Sequence, residues 1–408
     1  MKIESDVKPC VGWEIKIAKS FEEIEAVRDI WIQMQRDESM PALNTDIDRY
    51  LAIVELLKEK VQPYIIVLYY NSVPQAMVIG RIESKRITCR VGYATILKPS
   101  LRCLIVVYGG ILGQPSEQMG ARILQELTCI LKQRDVDAIF FNQLRLDSPL
   151  YNLTRKTPNI LCRCYSPVVE PHWQTQLPDS MEAFYKGMSG SRKRYLRRYT
   201  TALEKAASGP VEMVCYRSED KLDQVISIAS EISAKSYKQA LNVGFRDDYL
   251  TRLLLTKAAR QRRLRAYVLY ANGKPCAFEY GIEYGNVFFP EHIGYDPLLR
   301  SCSPGTVLFI RVVEDLIENS NVRVFDYGFG AAAYKERFGT EFWPEASVYI
   351  FAPRLYPVVI NILRSSVGSL NAALQYVVQK IGFVGWIKRH WRHLLQPKNP
   401  SSNCGGER

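Results

Sequence analysis

Four consecutive residues, Ser303-Pro304-Gly305-Thr306, are of the types found where a helix begins. Ser303 or Thr306 is a candidate cap, and Pro304 suits the first helical position because it has no N–H group to leave unsatisfied. The free N–H groups and the positive end of the dipole in a helix's first turn attract negative charge. The segment, with Arg300 in the loop before it, therefore predicts a binding site for phosphate or another anion.

A second set of candidate binding residues lies in a basic segment between Ser180 and Ala206. Five cations fall within seven residues: Arg192, Lys193, Arg194, Arg197 and Arg198. Arg194 and Arg197 are candidate ligands for the phosphates of a cofactor, of a nucleotide-linked acceptor or of tRNA. A solvated helix face is the alternative interpretation. Tyr195 and Tyr199 could stack on bases or pack this segment onto the second half of the chain.

The composition favours a protein of two or three domains with an anionic partner. The chain has 408 residues, of which 47% are hydrophobic, and a formal net charge of +12. Such a charge suits nucleic acid, a phosphorylated cofactor or a membrane surface as partner. The ten cysteines lack both the CxxC spacing of a zinc site and the density of a disulfide scaffold, which indicates reduced thiols and no bound metal.

Targeting signals are weak in this sequence. The N-terminal residues MKIESDVKPC contain no apolar signal region. The most apolar run, Cys103–Leu112, is about half of the roughly 20 residues that a spanning helix needs. We therefore expect a cytoplasmic protein.

The elements that position these residues form two similar series. In the first half the patterns predict a strand at Trp13–Ile17, a helix capped by Ser20 and Glu23, a helix over Asp46–Lys60, a hairpin over 64–82, a strand at Leu104–Tyr108, a helix at Ser116–Lys132 and a strand at Val136–Phe141. In the second half they predict a strand at Val211–Tyr216, helices over 219–238 and 247–261, a hairpin over 264–284 turned at Asn272-Gly273, a strand at Val287–Ile293, the helix opened at Pro304 and a strand at Val322–Tyr327.

An offset of roughly 190 residues aligns the two series element by element, which indicates a duplicated unit. The predicted fold class is α/β (α+β), with two tandem units that each contain a mixed, mostly antiparallel sheet flanked by helices. The predicted domains are an N-terminal half (1–178), a basic helical connector (179–209), a C-terminal half (210–353) and a helical tail (354–408).

The tail has a composition of its own. Residues Leu370–Leu395 mix apolar side chains with Lys380, Lys388, Arg389 and Arg392, which indicates a basic amphipathic helix. This helix could cover the core of the second half or lie as a peripheral contact on the inner face of a membrane. His390 and His393 are three residues apart without a third ligand, so they predict no metal site.

The order of elements resembles that of the GNAT N-acyltransferase superfamily. Three segments of the second half are similar to the CelD-like acetyltransferases: GKPCAFEYGIEYGN, HIGYDPLLRSCSPGT and FDYGFGAAAYKERFG. The connector MSGSRKRYLRRYTTALEKA and the first-half segment VDAIFFNQLRLDSPL match that family as well. CelD-like proteins in turn resemble the FemAB-type transferases, which carry two GNAT-like halves.

The resemblance implies acyl transfer from acetyl-CoA or another acyl-CoA to an amine or hydroxyl acceptor. It implies an active second half and a degenerate first half that shapes the acceptor cleft. The CoA diphosphate would lie at Ser303–Thr306, and the pantetheine arm would lie where Val287–Ile293 and Val322–Tyr327 splay apart. The loop Arg300–Gly305 contains one glycine where the family's signature is glycine-rich.

The resemblance also implies roles for particular side chains. Glu291 is the preferred general base and His292 its substitute, since alternation along a strand lets only one of them face the cleft. Glu279 on the neighbouring strand is a further candidate base, and Tyr334 is the candidate acid that protonates the leaving thiolate. Asp326 and Lys335 are candidate substrate ligands. The alternatives are structural: a strand-edge charge for Glu291, a hydrogen-bonded imidazole for His292, a packed ring for Tyr334, a turn ligand for Asp326 and a solvated charge for Lys335.

Two other functions fit the same residues. A FemAB-type transferase would take an aminoacyl group from tRNA, which suits the basic connector. A non-catalytic GNAT-like protein would bind a nucleotide or polysaccharide, which suits the missing glycine signature. The family's ties to polysaccharide production make a saccharide or another small molecule the expected acceptor.

Overall fold

The computed structural model describes residues 12–91, 94–235 and 244–380 of the chain. These residues divide into two compact units. The first combines the chain up to Trp173 with Phe329–Glu336 and Phe342–Tyr376. The second combines Gln174–Gly328 with Arg337–Glu341.

The elements follow the predicted order closely. Up to Gln176 they are β1 (Trp13–Ala18), α1 (Phe21–Glu25), α2 (Arg28–Asp37), α3 (Ile47–Leu56), β2 (Val61–Tyr70), β3 (Val73–Arg86), β4 (Cys89–Val91), β5 (Ala94–Leu97), β6 (Ser100–Leu112), α4 (Glu117–Lys132), β7 (Ala138–Arg145), α5 (Pro149–Lys156) and β8 (Val168–Gln176). Beyond it they are α6 (Met181–Lys186), α7 (Gly190–Ala207), β9 (Val211–Tyr216), α8 (Leu222–Ala234), α9 (Tyr249–Arg260), β10 (Leu264–Ala271), β11 (Lys274–Tyr284), β12 (Val287–Tyr295), α10 (Pro304–Asn319), β13 (Val324–Phe329), α11 (Ala333–Phe338), β14 (Glu341–Phe351) and α12 (Leu355–Lys380).

The first unit is built on a mixed sheet with strand order β1-β2-β3-β6-β7-β14. Strands β6 and β7 are parallel, and the other neighbours are antiparallel. Alternate residues of β2 enter different cores, because successive side chains of a strand point to opposite faces. Ile65 packs in the core formed with α1–α3, and Ile66 packs in the core that contains residues of α4. Helices therefore cover both faces of this sheet.

The second unit repeats the arrangement with strand order β9-β10-β11-β12-β13. Strands β12 and β13 are parallel, and the other neighbours are antiparallel. On one face Tyr267 of β10 donates a hydrogen bond to Asp315 of α10 at 2.8 Å. On the other face the ring of Phe245 contacts Phe278 and Tyr280 of β11. The predicted duplicated fold, with a mixed and mostly antiparallel sheet in each unit, is confirmed.

Local signals in the sequence account for many element boundaries. Ser20 and Glu23 form the predicted capping box, and Ser116 caps α4 through the N–H of Met119. Asn272 and Gly273 both have positive φ, 50° and 72°, as the tight turn between β10 and β11 requires. These signals act over a few residues, so they can be predicted from the sequence without the tertiary structure.

The C-terminal elements lie differently from the prediction. Strand β14, which no pattern indicated, pairs with β7 from Glu345↔Arg145 to Phe351↔Ala138, so residues 342–351 belong to the first unit and not to the predicted 210–353 domain. Its position depends on pairing with a strand about 200 residues earlier in the chain, which local propensity does not encode.

Helix α12 begins at Leu355, well before the predicted Leu370, and its first part packs in the first unit and not over the second half. Ile360 is buried in the core with α4, and Asn361 donates hydrogen bonds to the carbonyls of Leu161 and Arg163 at 3.0 and 2.7 Å. The basic residues Lys388, Arg389 and Arg392 and the pair His390 and His393 lie outside the described residues.

No helix within residues 12–91, 94–235 and 244–380 has the length and apolarity needed to cross a membrane.

Candidate active site

The gap between β12 and β13 is the central feature of the second unit. The two strands pair only at Val287↔Val324 and Phe288↔Phe325, and both continue for several residues beyond that point. Where two parallel strands diverge, a ligand with an extended amide-containing chain can lie between them along the backbone. The predicted splay of these strands is therefore present.

Helix α10 connects these two strands in the chain, since it lies between β12 and β13. It begins at Pro304, as predicted, and Ser303 before it has a left-handed backbone with φ 50° and ψ 52°. The amides of Thr306 and Val307 both bond the Ser303 carbonyl, at 2.9 and 3.2 Å. Pro304 is buried, whereas Ser303, Gly305 and Thr306 are half-buried. Arg300 lies exposed in the short 3₁₀ turn Pro297–Cys302 that leads into the helix.

A groove of about 670 Å³ lies between α6, α7 and α10 of the second unit. We call it the α7–α10 groove. Four cationic side chains line it, against two carboxylates: Lys186, Lys193, Arg197 and Arg311 against Glu182 and Glu314. Thr306 lines it as well, so it reaches the first turn of α10. Of the two predicted connector ligands, Arg197 faces this groove, whereas Arg194 is exposed outside its lining.

A smaller pocket of about 180 Å³ lies between α9 and strands β11 and β12. We call it the α9 pocket. Leu250, Leu254, Leu255 and Ile282 form its apolar walls, and Thr251, Tyr280, Glu291 and His292 supply its polar groups. The ring of His292 stacks on Tyr280, with centroids 5.4 Å apart, and meets the edge of Phe245 at 5.8 Å.

Both Glu291 and His292 face the α9 pocket, which corrects the expectation that only one of them could face a cleft. Tyr280 pairs with His292 and Gly281 pairs with Pro290, so Glu291 is an extra residue inserted between these two pairs. Such a β-bulge interrupts the alternation of side chains and re-aims one of them. The structure thus brings the two predicted base candidates together at one site.

Glu279 lies on the opposite face of β11. It pairs with Tyr267, whose hydroxyl points to α10, and cross-strand partners share a face. The Glu279 side chain is 2% exposed, and its Oε2 atom has no hydrogen-bond partner among the described residues. Burial raises the pKa of this carboxyl to about 8. At neutral pH it is therefore mostly protonated, which suits a proton donor better than a base.

The remaining predicted residues follow β13. Asp326 is buried and accepts a hydrogen bond from the Gly328 amide at 2.6 Å, the contact expected of a residue that holds the turn. Lys335 is buried, and its ammonium group donates to the Phe329 carbonyl at 2.7 Å, which differs from the solvated charge that the sequence suggested. Tyr334 is 38% exposed and lies in the segment Phe329–Glu336 of the first unit.

The first unit contains a polar cluster that sequence reasoning missed. The rings of Tyr108, His172 and Trp343 are nearly parallel, with centroids 5.7 and 4.6 Å apart. Glu345 accepts hydrogen bonds from Trp343 Nε1 at 2.7 Å and from Tyr108 at 3.4 Å, and lies 3.3 Å from His172 Nδ1. These residues link β6, β8 and β14, and because up to 237 residues separate them in the chain, no local pattern indicates the cluster.

Comparisons with known proteins agree with this geometry. Residues 190–336 match the family model described as an acetyltransferase (GNAT) domain. None of the curated proteins matches the chain. Because the family model spans α7 to α11, it includes the strand gap, the α10 start and the bulge with Glu291 and His292.

Several solved structures are similar to this chain over most of its length. The crystal structure of FemX has a TM-score of 0.53 at 9% identity and covers 86% of this chain and 100% of its own. A tandem GNAT protein from the clavulanic acid biosynthesis pathway has a TM-score of 0.48 at 11% identity, covering 84% of this chain and 100% of its own. A conserved protein of unknown function from Bacteroides thetaiotaomicron VPI-5482 has a TM-score of 0.47 at 10% identity, with 83% and 100% covered.

At these identities the structural likeness concerns the fold alone. The matched family model, the strand order of the second unit and the two-residue pairing of β12 with β13 all point to the same domain type. Residues 190–336 form a GNAT acetyltransferase domain, and the protein is an acyltransferase by class.

Proposed function

We propose that this protein transfers an acetyl or other acyl group from an acyl-CoA to the amine or hydroxyl group of an acceptor, in its second unit. The observation that carries the proposal is the divergence of β12 from β13 next to the start of α10. The gap leaves room for a pantetheine arm between the strands, and the first turn of α10 offers positive potential to a diphosphate. Ser303–Thr306 would then lie at the diphosphate, as would Arg300 from the preceding turn.

The residues of the α9 pocket supply the acid–base chemistry in this proposal. Glu291 or His292 accepts the proton of the acceptor's amine or hydroxyl group, whose lone pair attacks the thioester carbonyl. The C–S bond of the tetrahedral intermediate then breaks, and the CoA thiolate leaves. A proton must reach that thiolate to give free CoA, and the family resemblance assigns the donor role to Tyr334. The Asp326 carboxylate accepts from the Gly328 amide and the Lys335 ammonium donates to the Phe329 carbonyl, so we do not assign either side chain to the acceptor.

The α9 pocket also limits the acceptor. Half of its lining residues are leucine or isoleucine, so the part of the acceptor near the nucleophile is small and presents an apolar face, as a sugar ring does. A saccharide or an envelope precursor is the acceptor that we propose, on the basis of the resemblance to CelD-like proteins.

Titration calorimetry with acetyl-CoA is the first test. We expect binding in the micromolar to low millimolar range, because typical KM values of enzymes lie between about 1 μM and 1 mM. A thiol-release assay with amine and sugar acceptors then measures turnover. Absence of binding at millimolar acetyl-CoA and other acyl-CoAs by a folded protein would refute the proposal, and binding without release of CoA with any acceptor would favour the non-catalytic alternative.

An aminoacyl-tRNA-dependent transferase is the second candidate function. The cationic residues of α7 and the shared fold with FemX favour it. Binding of tRNA would fall steeply with salt, since it depends on release of counterions from phosphates. Transfer of a labelled amino acid from charged tRNA, with no transfer from any acyl-CoA, would replace the leading proposal with this one.

A further inference from the structure

One face of helix α12 is apolar and exposed. The first unit covers the opposite face, where Ile360 and Asn361 are buried. The exposed face carries six large hydrophobic side chains that are between 40% and 83% exposed: Leu355, Tyr356, Val359, Ile362, Leu363 and Leu370. Spacings of three, four and seven residues place them along one side of the helix. We call these six residues the α12 stripe.

The exposed face of α12 has no charge over the part of the helix whose side-chain burial is described. From Leu355 to Ala373 the one charged residue is Arg364, which is half-buried and donates a hydrogen bond to Cys164 Sγ at 3.1 Å. Helix α8, by contrast, exposes Asp223 and Glu231. A contiguous apolar surface of this kind marks an interaction site, because soluble proteins rarely leave one in water.

The loop before β8 widens this apolar surface. Asn361 donates to the Leu161 carbonyl at 3.0 Å, and a Cβ on Gly368 would lie 3.0 Å from the Cβ of Ser166, so this loop runs beside α12. Ile160 and Leu161 of the loop are 61% and 52% exposed. Exposed apolar side chains therefore continue beside the α12 stripe.

The chain that contains the α12 stripe is cationic over a long distance. No Asp or Glu occurs between Glu345 and Glu407, although the chain has 42 acidic residues. Residues 381–408 lie outside the described residues, and their sequence has four cations before Glu407: Lys388, Arg389, Arg392 and Lys398. Trp386 and Trp391 lie among them. Basic residues are attracted to anionic headgroups, and tryptophan is enriched at membrane–water interfaces.

These charges favour one occupant of the α12 stripe over two others. A second copy of the chain, related by a twofold axis, would bring two identical cationic stretches together without carboxylates to pair with them. Residues 381–408 of the same chain would likewise find no carboxylate on the stripe. An anionic bilayer supplies both an apolar boundary for the stripe and negative charge for the cations.

We propose that the α12 stripe and the basic residues after it bind the surface of an anionic phospholipid bilayer. The stripe enters the boundary between headgroups and acyl chains, while Lys388, Arg389 and Arg392 attract the headgroup phosphates. Because the first unit holds the opposite face of α12, the helix lies on the bilayer. The apolar and the electrostatic contributions are each weak, so stable binding depends on both.

Cosedimentation of the full chain with vesicles tests this inference. We expect binding to vesicles of phosphatidylcholine with about a third phosphatidylglycerol, and at least about tenfold weaker binding to pure phosphatidylcholine. Binding should weaken as NaCl rises from about 0.1 to about 0.5 M, because salt screens the attraction between cations and headgroups. Absence of binding to the anionic vesicles at the lower salt concentration by a monodisperse protein would overturn the proposal.

Substitutions in the α12 stripe test its part in binding. Ile362→Gln should lower the partition coefficient for anionic vesicles about five- to tenfold, because less apolar surface leaves water on binding. Leu355→Gln, at an 83% exposed position, should have a similar effect. Val73→Gln is the matched control, since Val73 lies in the first unit, is 55% exposed and is distant in sequence from α12. Wild-type binding by both folded stripe variants would overturn the proposal.

A triple variant tests the cations. Replacement of Lys388, Arg389 and Arg392 by Gln should lower the partition coefficient about 100-fold, because each basic residue near an anionic surface contributes about fivefold. The control replaces three exposed lysines of the first unit by Gln and changes the net charge equally: Lys58, Lys60 and Lys132. Equal losses in the two variants would overturn the proposal, since net charge alone would then drive binding.

Two other results would assign the α12 stripe to a different occupant and overturn the proposal. A wild-type dimer that binds no vesicles, and that Ile362→Gln converts to a monomer in sedimentation velocity, would identify a second copy. A monomer that binds no vesicles, and whose urea midpoint falls more in Ile362→Gln than in Val73→Gln, would identify residues 381–408. Turnover of soluble acceptors should be unchanged in every variant, so this inference can fail while acyl transfer stands.

Discussion

Glu291 and His292 illustrate how one inserted residue changes the chemistry of a strand. The bulge that inserts Glu291 between two paired residues of β12 turns Glu291 and His292 toward the same pocket. A carboxylate and an imidazole side by side can share the work of proton transfer, since one can orient or polarise the other.

Single substitutions separate the roles of Glu291 and His292. We expect Glu291→Gln or His292→Asn to lower kcat by about 10²- to 10⁴-fold, the range for loss of a general base, with little change in KM for acetyl-CoA. The residue whose loss also removes the acidic limb of the pH–rate profile is the base. A kcat within twofold of wild type in both folded variants would exclude Glu291 and His292 from catalysis. Glu318→Gln, at an exposed position of α10, serves as the control variant.

Tyr334 can be tested in the same assay. Tyr334→Phe keeps the ring and removes the hydroxyl of a side chain that is 38% exposed, so we expect an intact fold and a lower kcat. The loss should shrink with a thioester whose thiol is more acidic, because such a leaving group needs less protonation. Unchanged acyl transfer by the folded variant would remove Tyr334 from the mechanism.

The burial of Glu279 predicts that the stability of the protein depends on pH. Its folded-state pKa of about 8 lies above the reference value of 4.5, so the folded protein binds more protons than the unfolded chain between these values. Stability contributed by the neutral carboxyl is therefore full below about pH 4.5 and falls as pH rises toward 8, by about 5 kcal/mol in total.

Replacement of the Glu279 side chain by an apolar side chain of similar length should abolish the fall in stability with rising pH. We expect Glu279→Met to be more stable than the wild type at pH 8 and to lack its decline between pH 5 and 8, as measured by urea unfolding at several pH values. Parallel pH dependence in the two proteins would show that Glu279 is ionised or solvated in the folded state.

At the scale of elements, the start of α10 combines the position proposed for donor binding with backbone strain. Ser303 holds φ 50° and ψ 52°, a conformation that costs a non-glycine residue about 1 kcal/mol and costs glycine little. Its side chain makes no capping hydrogen bond to a described residue, so the helix would lose no cap on its removal.

Ser303→Gly is therefore expected to raise the free energy of unfolding by less than about 1 kcal/mol, because relief of the left-handed strain is partly offset by about 0.4–1 kcal/mol of added conformational entropy in the unfolded chain. Urea denaturation measures this change. A rise in KM for acetyl-CoA in the same variant would indicate, in addition, that the Ser303 hydroxyl contacts the donor. Ser301→Gly, at an exposed position in the preceding turn, should not stabilise the protein. A destabilised Ser303→Gly variant would mean that the left-handed conformation is not strained.

At the scale of the whole molecule, the C-terminal part of the chain completes the first unit. Strand β14 extends its sheet beside β7, and α12 adds Ile360 to its core. The first unit therefore needs residues that follow the acetyltransferase domain in sequence. Separate expression of residues 1–178, the domain that the sequence predicts, would leave β7 and this core uncovered.

Asn361 tests this dependence with a point substitution. Its side chain is 1% exposed and donates to two loop carbonyls, at Leu161 and Arg163. Asn361→Ala should lower the free energy of unfolding by about 1–3 kcal/mol, because it removes two hydrogen bonds from a buried side chain to part-buried carbonyls. Val359→Ala, at a position that is 40% exposed, should cost less than about 1 kcal/mol by the same thermal or urea measurement. Equal losses in the two variants would contradict the packing of α12 described above.

The sequence by itself determined the repeated order of strands and helices, the caps at Ser20 and Ser116, the Asn272-Gly273 turn and the start of α10 at Pro304. These features depend on hydrophobic period, capping and turn chemistry within a few residues. It also indicated the acyltransferase class through motifs in the second half.

Only the tertiary structure decided which side chains meet. The bulge at Glu291 arises from register against β11, burial in the folded unit raises the pKa of Glu279, and the α7–α10 groove forms between helices about 110 residues apart in the chain. The cluster of Tyr108, His172 and Glu345 and the pairing of β14 with β7 likewise join distant residues. Contacts of this kind depend on packing geometry, which composition and local spacing do not specify.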